Sequence, residues 1–402
     1  MKAHKTIFQL KDLYNFEGFK FYESWLEEES IAIELTRTKK TGDCPLCHTR
    51  CNNIKDKSQR RIRDLDIAGS EAYICFEEWR ISCSCGYVGV EHLKFVSKHS
   101  RYSKRFEQKV AILCRVMSLK DVAKEMRIDW SAVKRIDKEE AKKYIVDLKR
   151  ISPTKIGIDE LAYEKGHKYL TIVRDIEKQK VIWIGRGRKE ETLDSFFIRL
   201  GERKCHKIKL AVIDMWDPYI ASILKHTTAD IVFDKFHIAK KVNEAVDKVR
   251  KKEFAKADKE ERILMKHKRF LILSRQKRLK DEERETLYDL LGINKELYCA
   301  YILKEQILDI LDEKNPDNAM KRLSKWFENI AKSGIEQFGV VVKTIKNYLY
   351  GIQNYFKYKV TNAASEGFNN KIGVMKRRAY GFRDIDYFML KIYQLCGLKS
   401  SH

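Results

Sequence analysis

From residue 155 to residue 237 short apolar runs alternate with helix-patterned stretches, and from 238 to 360 no strand-like run occurs. The order reads strand, strand, strand, helix, strand, helix, strand, which is an α/β layer. The block that follows is rich in Lys and Glu, with apolar residues every three or four positions, and reads as almost purely helical. Two of the apolar runs end in a carboxylate: Ile156-Gly157-Ile158-Asp159, followed by Glu160, and Lys207 through Ile213-Asp214. Such runs suit strands buried on both faces. In open α/β sheets ligands collect beyond the carboxyl ends of strands. Two Asp residues there, on adjacent strands, could share a divalent cation that relieves their repulsion. The competing reading is a strand-end cap, for which Asp214-Met215-Trp216-Asp217-Pro218 has the right composition.

A third polar element lies at Thr361 to Lys371, where Asn362, Glu366 and Asn370 recur every four residues and share one helical face. That face suits a polar, metal-containing cleft; a Glu in the first turn that merely favours the helix dipole is the alternative. Lys376, Arg377 and Arg378 follow beside Tyr380 and Phe382, an interleaving that suits DNA backbone and base contacts. Asp234 and His237, after the last apolar run, are accessory candidates at the cleft, or a strand-end turn and a packed histidine.

The N-terminal part carries six of the ten cysteines, from Cys44 to Cys85. Cys44-Pro45-Leu46-Cys47 is a knuckle that can grip zinc from a tight turn, and Cys83-Ser84-Cys85 offers a second pair before Gly86. Four such ligands would make a structural zinc site with no open position. The gap between the pairs exceeds that of common zinc templates. His48, Cys51, Cys75 and His92 therefore stay open as candidates for the fourth ligand, and reduced cysteines in a small β core are the alternative. Short strands are expected at Ser30–Leu35, Ala72–Phe76 and Trp79–Ser82. Arg60, Arg61 and Arg63 suit phosphate contacts, or else a solvated charged edge.

Leu119 to Ile136 fits a helix-turn-helix: Ala123 sits where two helices approach, Val133 and Ile136 can face the first helix, and Asp129 can cap the second. Ser131, Lys134 and Arg135 then point towards a DNA groove. Arg127 occupies the turn position often held by Gly, and any antiparallel helix pair would share the apolar spacing.

The chain has 402 residues, enough for two or three domains, and 82 Lys and Arg against 58 Asp and Glu give a net charge of +24. That balance points to a polyanionic partner bound by counterion release, or to a merely lysine-rich soluble protein. No stretch has the apolar length to span a bilayer, and the first residues lack a signal-like apolar core. No membrane partner is expected. The expected location is cytoplasmic and nucleoid-associated, with thiols reduced. There is no G-x-x-x-x-G-K-[ST] phosphate loop, and no two His residues lie two apart, which argues against an ATPase and against a His-hydrophobic-His nuclease with a Tyr nucleophile.

Taken together, these motifs resemble the ISL-three family of bacterial insertion-sequence transposases over nearly the whole chain. The likeness rests on the CPLC knuckle, the Arg-rich link and the helical segment in order, then on Gly157-Ile158-Asp159-Glu160 and Val212 to Tyr219. It continues through Asp234-Lys235-Phe236-His237 with Asn243 and Arg250, and through Thr361-Asn362 to Glu366 and Asn369 to Lys371. The C-x-C knuckle and Arg127 depart from that pattern. The resemblance implies an RNase-H-like catalytic domain whose third carboxylate returns after a helical insertion. The spacing agrees, with 55 residues from Asp159 to Asp214 and 152 from Asp214 to Glu366.

The fold expected is α+β and multidomain. An N-terminal zinc-binding β module would span 1–97, a helix-turn-helix domain 98–150, and an RNase-H-like α/β domain 151–402 with an all-α insertion at about 240–358. The activity expected is DNA strand cleavage and 3′-OH strand transfer, with Asp159, Asp214 and Glu366 holding two Mg²⁺ or Mn²⁺ ions and zinc kept structural. The partners expected are double-stranded DNA, both element terminal inverted repeats and target, and a second copy of the chain in a synaptic dimer or larger complex. A nuclease on the same fold and a non-enzymatic DNA-binding regulator are the alternatives.

Overall fold

The computed structural model describes residues 9–164, 166, 168–360 and 363–396, with the side chains of 363–366 left out. The chain divides into two compact units, Met1–Lys143 and Tyr144–His402.

In the first unit a short helix α1 (Leu10–Leu13) precedes strands β1 (Phe19–Leu26), β2 (Ser30–Arg37), β3 (Gly42–Asp43), β4 (Arg50–Cys51), β5 (Ile54–Ile67), β6 (Ser70–Ser82) and β7 (Val88–Val90). The main sheet runs β1-β2-β6-β5, with β7 on β6 and a separate β3–β4 pair. The two short strands expected at 72–76 and 79–82 are parts of the single strand β6. Glu77 and Glu78 resemble a break in the sequence, but in the hairpin Glu77 stands opposite Gln59 and Glu78 forms an ion pair with Arg60. Tyr14, Phe19, Ile33, Ile62, Ile74, Phe76 and Phe95 make the core behind this sheet.

Helices α2 (Lys104–Leu113), α3 (Leu119–Glu125) and α4 (Trp130–Lys142) complete the unit around Phe106, Val110, Val122, Val133 and Ile136. Ser103 caps α2 by accepting from the Phe106 N–H at 3.2 Å, and its hydroxyl donates to the fully buried Asp64 of β5. Arg105 Nε donates to the same carboxylate at 2.8 Å, so the hairpin and the helices share a satisfied buried charge.

In the second unit β8 (Lys155–Glu164), β9 (Lys168–Asp175) and β10 (Lys180–Arg186) lead to α5 (Glu190–Leu200), α6 (Glu202–Cys205), β11 (Leu210–Ile213), α7 (Asp217–His226) and β12 (Asp230–Phe233). The sheet order is β10-β9-β8-β11-β12. The first three strands are antiparallel neighbours, while β11 is parallel to both β8 and β12. The helical block comprises α8 (Lys235–Lys256), α9 (Lys259–Met265), α10 (Arg269–Leu273), α11 (Asp281–Gly292), α12 (Lys295–Leu311), α13 (Pro316–Ser333), α14 (Gly339–Asn347) and α15 (Leu349–Tyr358). The chain then returns to the sheet as α16 (Ala363–Arg378) and α17 (Ile385–Cys396).

Strand alternation splits the side chains of this sheet between two cores. Ile158, Val173, Ile182 and Trp183 join α5, α7 and the helical block. Leu170, Ile172, Val181 and Ile184 join Phe368 and Ile372 of α16 and Phe388 and Ile392 of α17. With helices on both faces, the central strands read as continuous apolar runs. Gly351 lets α15 lie directly on the end of β12, since a side chain there would overlap the Phe233 ring. No helix among the described residues is long and apolar enough to cross a membrane.

Candidate active site and zinc centre

Val212 of β11 pairs with Gly157 of β8, so Asp214, just past the end of β11, stands beside Asp159, which lies not at a strand end as expected but within β8, two residues beyond the last pair with β11. Ile213 pairs with Phe233, which puts Asp234 in the next place along the same row. Adjacent strands lie about 4.8 Å apart, close enough for the first two carboxylates to feel each other. Burial, then the charge of Asp214, pushes the Asp159 carboxyl up to about 6. One Asp159 oxygen accepts from the Glu160 N–H at 2.8 Å and the other from Asn369 Nδ2 at 3.0 Å.

Asp214 receives the imidazole Nε2 of His237. Burial alone would pull His237 down, but its contact with Asp214 and the nearby acidic groups raise it. Asp234 is buried and accepts from the Phe236 N–H at 3.1 Å, so it caps α8 and fixes the helix on which His237 stands. A cleft of about 180 Å³ opens here, lined by Glu160, Asp214, Trp216, His237, Lys240 and Glu244 among others. Trp216 Nε1 donates to the Arg188 carbonyl at 3.0 Å, and the Arg188 guanidinium stacks over the Trp216 ring and pairs with Glu160.

Helix α16 brings the third polar element to this edge. Its Asn369 reaches Asp159, and Lys376 donates to the Tyr163 carbonyl of β8 at 2.6 Å. Glu366 lies on this helix one turn before Asn369; its side chain is outside the described residues, as is Asn362 altogether. Asn370 is exposed. The residue on the carboxylate is thus Asn369, which the four-residue spacing passed over. Its signal was the three-residue step from Glu366, since i and i+3 share a helix face as i and i+4 do. Arg377 and Arg378 are exposed near the end of α16.

The paired carboxylates give a stability prediction for the metal-free protein. An unfolded Asp159 ionises near its ordinary value of 3.8, whereas the folded site holds the proton to about pH 6. Stability from this group is therefore full below pH 3.8 and is lost as pH rises through about 6. In EDTA at pH 8, Asp159→Asn should be more stable than the parent by about 2–3 kcal/mol, and the gap should close by pH 4. Thermal melts across that range check it; parallel profiles for the two proteins would show that Asp159 carries no such burden.

The zinc centre lies in the first unit. The sulfurs of Cys44, Cys47, Cys83 and Cys85 all lie within 4.8 Å of one another. The Cys44–Cys85 and Cys47–Cys83 sulfur pairs are 3.7 and 3.5 Å apart. Zn–S bonds of about 2.3 Å at tetrahedral angles require about 3.8 Å between sulfurs, so the four thiols fit one zinc ion. Cys51 stands aside, its thiol near the Thr49 carbonyl. Cys75, on β6, together with His48 and His92, is also outside the group.

The helix-turn-helix places Ser131 and Arg135 on the exposed side of α4, with Lys134 against the exposed Trp130 ring. Asp129 caps α4 by accepting from the Ser131 N–H at 2.7 Å. Arg127 adopts a left-handed backbone (φ 51°) in the turn. The strain of that conformation, about 1 kcal/mol, is offset by its guanidinium, which pairs with Asp66 and donates to the Gly69 carbonyl at the tip of the β5–β6 hairpin. The three link arginines also have internal partners. Arg60 holds Glu78 and the Ser100 carbonyl, Arg61 holds Glu27, and the buried Arg63 holds Asp66 and Glu71.

Comparisons agree with this arrangement. Residues 156–392 match a transposase family model, DDE type of the ISL3 group. Residues 91–141 match the helix-turn-helix domain of transposase family ISL3, and residues 40–85 the zinc-finger of transposase IS204/IS1001/IS1096/IS1165. The chain is 32% identical over 375 residues, 92% of each protein, to the transposase for insertion sequence element IS1001 of Bordetella parapertussis. It is 25% identical over 355 residues, covering 81% of this chain and 78% of the relative, to the transposase for insertion sequence element IS1557 of Mycobacterium tuberculosis. With its zinc ribbon, its helix-turn-helix and its catalytic domain each matched in order, the chain belongs to the ISL3 family of transposases.

Proposed function

We propose that this transposase binds the ends of its insertion element and both cuts and joins DNA at the cleft formed by Asp159, Asp214 and Glu366. The observation that carries the reading is the register of β8 against β11, which sets a carboxylate within β8 beside one at the end of β11, beneath a helix that bears a third. The sheet order, with three antiparallel strands followed by two parallel ones, supports an RNase-H-like catalytic domain interrupted by the helical block.

The donor set suits a hard divalent cation: carboxylate oxygens, one of them holding its proton to about pH 6 through burial and the charge of Asp214. Two Mg²⁺ or Mn²⁺ ions bound there would activate the attacking oxygen and neutralise the leaving one. Asn369 orients Asp159, and His237 orients Asp214 in the manner of groups that stand behind metal ligands. Lys240 and Lys241, both lining the cleft, suit the phosphate charge of a strand lying in it. Ser131, Lys134 and Arg135 of α4 are the residues that would read the element end, with Arg377 and Arg378 suited to its backbone. Joining two ends requires two catalytic chains, so a dimer or larger assembly is the working form on DNA.

The test uses purified protein, a labelled duplex carrying the element's own end, and a target plasmid, with and without Mg²⁺. Metal-dependent nicking followed by joined products supports the reading. Cuts without joining favour a nuclease; tight end binding with no cut in Mg²⁺ or Mn²⁺ favours a DNA-binding regulator.

A further inference from the structure

Residues 259–280 carry nine Lys and Arg against two Glu, the densest positive stretch in the helical block. Part of this charge is spent internally: Arg269 pairs with Asp247, Arg275 with Asp309 and Asp312, and Lys277 with Asp309. Lys266, Lys268 and Arg278 have no ion-pair partner among the described residues, and Phe270 is 75% exposed between them. Ile263 and Leu264 are exposed on α9 next to them. Free cations around an exposed aromatic ring and aliphatic side chains are the composition of a nucleic-acid surface, since cations meet phosphates and apolar groups meet bases.

The segment is also held in place. Lys304 of α12 is fully buried, and its ammonium donates to the Ile272 carbonyl at 2.9 Å and to the Ser274 carbonyl. Its charge is balanced by Glu305 at 2.9 Å. A buried lysine is costly to keep. Here, with Arg275, it fixes the loop against α12.

Position adds a second argument. Helix α8 begins at the cleft with His237 and ends just before α9 after 22 residues. The segment after α9 folds back along this helix: Arg269 pairs with Asp247 in its middle, and Arg275 shares Asp312 with Lys235 at its first turn. A strand in the cleft that followed α8 would therefore run alongside the basic segment.

We propose that α9, α10 and the loop after them form a second DNA-contact surface. Lys266, Lys268 and Arg278 contact phosphates there, and Phe270 packs on sugar or base of DNA that leaves the cleft along α8. This rests on the transposase reading of the cleft. The test compares the full-length parent, K266A/K268A/R278A, F270A and R135A for binding to a duplex carrying the element end, from low to moderate salt. The triple variant should bind about tenfold or more weakly at low salt, and its log–log salt slope should be shallower by about 2–3, near 0.9 for each lost phosphate contact. F270A should bind several-fold more weakly with an unchanged slope. A photocrosslinking side chain placed at position 270 should label the element-end DNA. Unchanged affinity and slope in the triple variant, with normal melting and with R135A clearly impaired, would overturn the surface. If R135A and the triple variant both bound as the parent does, the failure would lie in the DNA-end reading itself.

Discussion

Asp214→Asn is expected to bind the element end as tightly as the parent in Mg²⁺ and yet to lose strand cleavage and joining by about a thousandfold or more, some 4 kcal/mol of transition-state stabilisation. The substitution removes one charged ligand while keeping shape and hydrogen-bonding capacity, so a folding failure would not explain the loss. Asp159→Asn should behave likewise, and so should Glu366→Gln, the variant that tests the helix-borne carboxylate directly. The losses should not add when two of the three are combined, because one missing ligand already disables the shared centre. His237→Ala should cost less, about 10–100-fold, since it acts on the position of Asp214 and not on the DNA. Asn369→Ala belongs with His237 because its amide reaches Asp159. Single-turnover assays on the labelled end, with binding measured on the same preparations, separate these classes. Full strand transfer by Asp214→Asn would remove the cleft from the mechanism and return its acids to strand-end caps.

Much of this cleft could be read from the sequence, and the reason is burial. β8 and β11 are covered on both faces, so each appears as an apolar run, and the Asp that ends it stands out. The register that aligns the two Asp residues is a pairing between distant segments, which no local pattern contains. Helix α16 shows the limit at finer scale. A period of 3.6 residues places both Asn369 and Asn370 near the Glu366 face, and only packing of Phe368 and Ile372 on the sheet decides which one meets Asp159.

In the N-terminal unit the sequence misled where charge lay inside a strand. The strands expected at 72–76 and 79–82 leave out Glu77 and Glu78, and Arg60, Arg61 and Arg63 read as phosphate contacts or a solvated charged edge, whereas β6 runs unbroken and Glu78 and Arg60 pair across one hairpin. Arg127 illustrates the same point. A non-Gly residue in a left-handed turn looked like a flaw in the motif, but its side chain anchors the turn to the hairpin, a contact made by residues some sixty positions apart.

That dependence of the DNA-binding unit on its β module gives the last expectation its size. Purified protein should carry one zinc per chain, and Cys44→Ser or Cys83→Ser should lose it. Structural zinc contributes about 10–16 kcal/mol to small modules, more than the whole stability of an ordinary domain. The effect should therefore be unfolding of the knuckles and not a shift in melting temperature. The β3–β4 pair holds only two residues in each strand and has little else to keep it. Trp79, Ile81 and Cys51 pack directly on the cysteines, so the loss should spread along β6 to the hairpin that Arg127 grips, and specific end binding should fall with it. Cys51→Ser and Cys75→Ser should keep their zinc, because neither sulfur belongs to the cluster. Metal analysis, circular dichroism and end binding on the four variants check this together. Zinc retained by Cys83→Ser and lost by Cys51→Ser would move the site to a different ligand set. Zinc absent from the parent, with the fold intact, would make the four thiols a reduced core cluster held by packing alone.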